Sequence, residues 1–132
     1  VTGLDSLPGD DGQQLEDLTT RDLARVMVRI QRLRWAKVRD LEALTAELAA
    51  AKKAATVVHA RAFLAADGPQ DERTQTAKLA AADAVFGADV VRGKLDACKA
   101  SMETLRDDWD TCRSVNSNQR AEKNAIEGYG AS

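Results

Sequence analysis

Leu64-Ala65-Ala66-Asp67-Gly68-Pro69-Gln70-Asp71-Glu72 ends one helix and begins another. Glycine adopts the left-handed backbone conformation just past a helix end without a steric clash. Proline fits the first turn of the next helix, where its missing N–H is not needed. Asp71 and Glu72 then stand at the positive end of that second helix. Outward from Gly68-Pro69, two heptad stripes mirror each other. Before it stand Leu41, Leu44, Leu48, Ala51, Ala55, Val58, Ala62 and Ala65; after it stand Thr74, Ala77, Ala81, Ala84, Ala88, Val91, Leu95 and Cys98. The 3-4 spacing places each stripe on one side of a helix. Folding at the dipeptide sets Leu44 against Leu95, Leu48 against Val91, and Ala51 against Ala88. The expected fold is all-α: a long antiparallel two-helix coiled-coil hairpin with an alanine-rich seam, assembling into a four-helix bundle.

The boundaries follow from caps and breakers. Residues 1–18 hold three glycines, Pro8 and several Asp, and read as a flexible leader with a turn at Leu15-Glu16-Asp17-Leu18. Thr19 followed by Asp22 resembles a capping box. The hairpin is expected over 19–127, with helix one over 20–67, the tip at 68–69 and helix two over 70–127; residues 128–132 fray. Leu23, Val26 or Met27, Ile30 and Leu33 form the early stripe of helix one, and the step from Lys37 to Leu41 needs a stutter. Helix two continues through Met102, Leu105, Trp109 and Cys112, then turns polar at Asn116 and Gln119. If the mirror persists, Ile30 faces Trp109 and Met27 faces Cys112, and a larger apolar cluster forms at that open end.

Composition narrows the function classes. Of 132 residues, 4% are aromatic and 30% charged, which suits exposed helices better than a thick globular core. The formal net charge of -2 argues against generic binding to nucleic acid or an anionic membrane. Neither a membrane span nor a secretory signal is expected. Cys98 and Cys112 lie roughly 21 Å apart along one helix at 1.5 Å per residue, too far to bridge within a chain. They read as buried reduced thiols of a cytoplasmic protein. His59 is the sole histidine, with no companions spaced for metal ligation or triad chemistry. No glycine-rich phosphate loop or nucleophile elbow occurs. The expectation is therefore no catalytic residues, no cofactor and no metal.

Two surfaces remain as candidate sites. One lies beside the seam and at the open end: Trp35, Trp109, Phe86, Val90 and Gly93 are expected to contact a partner or a second copy, giving a dimer or tetramer. Gly87 and Gly93 inside helix two suit close approach by another helix. The other is a run of arginines from Arg21 to Arg39. Reflection sets Arg29 against Asp110 and Arg32 against Asp107, so interhelical ion pairs account for part of the run. Arg25, Arg34 and Arg39 are left as contacts for an acidic partner or for phosphates. No aromatic side chains are expected to interleave with them as a single-strand stacking platform requires.

From Ala60 to Lys123 the chain carries Ala62-Phe63-Leu64-Ala65-Ala66-Asp67-Gly68, Glu72-Arg73 and Ala77-Lys78-Leu79-Ala80, then Arg113-Ser114-Val115-Asn116 and Arg120-Ala121-Glu122. In these it resembles a loose group of small helical proteins encoded by tailed phages of Gram-positive and actinobacterial hosts. The resemblance spans roughly half the chain, with Pro69-Gln70-Asp71 in the variable part of the tip. It implies a helix, a Gly-centred tip and a second helix, in proteins often encoded near recombination and replication genes. It carries over no catalytic residues. The combined expectation is a non-enzymatic, oligomerising coiled-coil adaptor in the host cytoplasm, linked to phage DNA recombination through protein contacts. The alternatives are nucleic-acid binding through Arg21–Arg39, a structural virion component, or an inhibitor of a host protein.

Overall fold

The computed structural model describes Leu15 and residues 18–130. Among the described residues it is all-helical, with two helices packed against each other and no strand. Helix α1 is Thr20–Ala65, 46 residues, and α2 is Gln70–Gly130, 61 residues. The helices form two compact units, one within Val1–Lys37 and Ser101–Ser132, the other Val38–Ala100. The expected leader and the very end of the expected frayed tail lie mostly outside the described residues.

In Val38–Ala100 the turn is built as its residues dictate. The Ala66 amide still donates to the Ala62 carbonyl at 3.0 Å, and Gly68 then turns the chain with φ 107°. Helix α1 stops at Ala65, two residues short of the expected Asp67. The left-handed Gly68 and the following proline, which disfavours helical geometry in the residue before it, force the chain out earlier. A Cβ on Gly68 would also lie 2.9 Å from a carboxylate oxygen of Glu72. The turn is clamped by Arg73. Its Nε and Nη2 donate to the Phe63 carbonyl at 3.2 and 3.1 Å, and its guanidinium lies 4.4 Å from the centre of the Phe63 ring. One side chain of α2 thus satisfies a carbonyl that the end of α1 leaves without a helical partner.

Away from the turn, Leu48, Val91 and Leu95 form a buried cluster with Leu41 and Leu44 packed on it. Along α2, Ala77, Ala81, Ala88 and Cys98 are buried and Ala84 is half-buried. Along α1, Ala51, Ala55, His59 and Ala62 are half-buried and Ala65 is exposed, while Val58, at 37% exposure, stands at the edge of the pair. Val58 and His59 thus share the level that a strict heptad gives to one residue. A straight helix drifts against a 3.5-residue repeat. With alanine at most nearby positions, no large side chain holds the stripe to one register.

The unit formed by the other ends of the two helices has a larger core. Leu18, Leu23, Val26, Ile30, Cys112 and Val115 are buried together, and Leu15, Met27, Leu105 and Trp109 pack against them. The pairs expected at the open end, Ile30 with Trp109 and Met27 with Cys112, fall within this one cluster. Thr19 caps α1: its Oγ1 accepts from the Asp22 amide at 3.2 Å and its carbonyl from the Leu23 amide at 2.9 Å. Leu18 before the cap and Leu23 after it are buried together, the arrangement of a hydrophobic staple. Leu18 therefore belongs to the core and not to a free leader. Nor does the buried stripe end at Cys112, since Val115 extends it by one turn.

Gln119 closes this end. Its Nε2 donates to the Leu18 carbonyl at 2.7 Å, and its Oε1 accepts from Thr20 Oγ1 at 3.2 Å. A Gln119→Ala variant leaves that carbonyl without its donor and should lower stability by about 1 kcal/mol. The effect is read as a shift in urea midpoint at constant slope; an unmoved midpoint contradicts the role. Beyond Gln119, α2 runs past the expected Glu127 to Gly130 with every side chain exposed through Tyr129. Lys123 and Glu127, 4.0 Å apart on one face, give this overhang only weak support.

Candidate interaction surfaces

The small side chains that let α1 and α2 approach in Val38–Ala100 also leave space beside them. A largely apolar groove of about 670 Å³ lies between the helices. Ala55, Thr56, His59 and Ala60 line it from α1, and Lys78, Ala81, Ala82, Val85, Phe86 and Asp89 from α2. A second groove of about 310 Å³ adjoins it, sharing Ala55, Thr56, Val85 and Asp89 and reaching Leu48, Lys52 and Arg92. Of the groove-lining residues of α2, Phe86 is 70% exposed and Val85 48%; Leu79 and Val90 are also exposed, at 80% and 42%, but line neither groove. Water wets these side chains unless something covers them, and clustered exposed apolar groups mark interaction surfaces. Phe86, singled out from the sequence, thus lines the groove, whereas Val90 does not. At Gly93 a Cβ would meet nothing within 4 Å, so no close approach within this chain requires that glycine.

The two tryptophans fare differently. Trp109 packs against the core of its unit, with the Arg34 guanidinium 6.0 Å from its ring centre. Arg34 is thus half-buried against an aromatic face, which makes it a poorer phosphate ligand than its charge suggests. Trp35 stays 62% exposed. It stands one turn from Arg32 and two turns from Val28 on the outer side of α1, both also exposed. Trp35 is thus a single aromatic on the face of Arg32, short of the several aromatics that a single-strand stacking platform needs. Arg25 lies 3.8 Å from Asp22 one turn away, with both side chains largely exposed, a pair worth little. The expected pair of Arg32 with Asp107 does not form among the described residues. Arg39 is exposed on α1 in Val38–Ala100.

Among the described residues no group of His, Cys, Asp and Glu could hold a metal ion, and no helix is long and apolar enough to cross a membrane. Cys98 and Cys112 are buried free thiols. Burial, with a smaller push from the Asp108 carboxylate, raises the Cys112 thiol above its ordinary value of 9.0. The folded state therefore keeps a proton that the unfolded chain loses. The stability tied to this thiol is present below pH 9.0 and declines as pH rises through and above it. Cys112→Ala should flatten that alkaline decline in a urea-midpoint series against pH; an unchanged slope would place its cause elsewhere.

Sequence reasoning passed over Arg73, Leu18, Val115 and Gln119 as structural groups. For Leu18 the signal was present, an apolar residue just before a Thr cap with a second one, Leu23, four positions into the helix. No family model matches the chain, and comparison with curated proteins and with solved structures finds no match.

Proposed function

We propose that this protein is a non-enzymatic, self-associating helical adaptor whose α2 surface around Phe86 is covered by another helix pair, completing a four-helix bundle. The observation that carries this is the apolar groove lined by Phe86, which is 70% exposed. Two helices alone leave that surface wet, and a second pair removes it from water. The alanine-rich stripes support the same reading, because small side chains permit the short interaxial distances of a tight bundle. The resemblance between Ala60 and Lys123 supports a setting in phage DNA recombination, within the host cytoplasm, with the adaptor acting through protein contacts. Size exclusion coupled to light scattering, at low and high salt, tests the core of this reading. A mass of two or four chains at both salts is expected; a single-chain mass throughout would overturn it.

A second reading has its own observation. Val28, Arg32 and Trp35 form an exposed mixed basic and apolar face on α1, with Arg21 and Arg25 on the same side. That face suits an acidic helix or a phosphate backbone. Binding of single-stranded DNA that falls steeply with salt, and is lost on Arg32→Glu, would favour it.

A further inference from the structure

We infer that the groove of Val38–Ala100 receives a second copy of itself, α2 lying antiparallel to α2 about a twofold axis between Ala82 and Val85. The inference rests on the self-association proposed above and specifies its partner and register.

Lys78, Ala82, Val85 and Asp89 follow one another along α2 at steps of four, three and four. They form one stripe, set about a third of a turn away from the buried Ala77, Ala81, Ala84 and Ala88. All four stripe residues line the groove. Reversed end to end, the stripe complements itself. Lys78 meets the second copy's Asp89, Ala82 meets the second copy's Val85, and each contact recurs on the other side of the axis. An isologous interface needs this property, because the same patch must recognise itself. A parallel pairing would set Lys78 against Lys78 and Asp89 against Asp89, and like charges in contact reject that arrangement.

Shape agrees with charge. The same register sets the exposed Phe86 level with Ala81 and Ala82 of the second copy, where α2 is narrowest. Across the groove at that level stand Ala55 and Ala60 of α1, also small. A phenyl ring thus enters each groove where its lining leaves room.

Sedimentation equilibrium on the full chain tests the register with Lys78→Glu, Asp89→Lys and the double variant. Lys78 and Asp89 are exposed, so helicity by circular dichroism should match the parent protein. Each single reversal is expected to raise the dimer dissociation constant by about tenfold or more, and the double reversal to restore it to within about threefold. A parent dimer indifferent to the single reversals overturns the register, as does a double variant no tighter than the singles; self-association then proceeds by another face. A parent protein that is monomeric throughout overturns the self-association reading and the register together.

Discussion

Leu23→Ala should lower the unfolding free energy by about 2–5 kcal/mol, the usual range for a fully buried leucine cut to alanine. Leu23 has no exposed surface, and it is the apolar residue that the helix start clasps against Leu18. Removing its side chain leaves a cavity flanked by Val26, Ile30 and Cys112, groups held on rigid helices that collapse only in part. It also loosens Leu18, whose carbonyl receives the Gln119 amide, so the far end of α2 loses a partner as well. Val28 provides the control. It lies five residues on and is 52% exposed, so Val28→Ala should change stability by less than about 0.5 kcal/mol. Urea midpoints at constant slope measure both. Equal effects from the two substitutions would mean that α1 is turned relative to its partner from the arrangement described.

The second large effect concerns alanines. Ala77→Leu should destabilise by about 1–3 kcal/mol, because a buried alanine with no exposed surface has no room for three more carbons. The leucine must push the helices apart or leave its preferred rotamers. Ala55→Leu should cost far less. Ala55 is also on the facing stripe, but it is half-buried and opens onto both grooves, so a longer side chain can extend there. Thermal melting of the two variants at matched concentration distinguishes them. A larger loss at Ala55 than at Ala77 would mean that the close approach lies at a different level of the helix pair.

The helices and the turn were legible because breakers and periodicity agree. Gly68-Pro69 interrupts two long stretches without proline, and Leu44, Leu48, Val91 and Leu95 mark one side of each helix with side chains too large to misplace. Nearer the turn the pattern loses its hold. Alanine occupies so many positions that size does not choose between Val58 and His59, and the helix's own drift leaves both at the edge of the pair. At the other unit, Leu18 and Gln119 were hidden for another reason. Their role depends on residues about a hundred positions apart in sequence, and no local pattern announces such a contact. The candidate surface was legible in part. Phe86 and Val90 stand out as large apolar residues off the main stripe, whereas the groove beside them exists only because small residues of both helices coincide.

The arginine run shows the limit of charge counting. Seven basic residues crowd residues 21–39, yet their surroundings differ. Arg34 rests against Trp109, Arg25 is shared with Asp22, and Arg32 stands beside an exposed tryptophan. Only neighbours in space separate a structural arginine from one available to a ligand.

Phe86→Glu, compared with the parent chain by light scattering over a hundredfold range of concentration, tests self-association most directly. A carboxylate at this position would have to be buried against the alanines of the groove, which is strongly unfavourable for an unpaired charge. The monomer tolerates it, because Phe86 is already 70% exposed. The parent is expected to reach a mass of at least two chains, while the variant stays at one chain with unaltered helicity. A parent that remains a single chain at every concentration, or a variant that associates as tightly as the parent, would contradict this expectation.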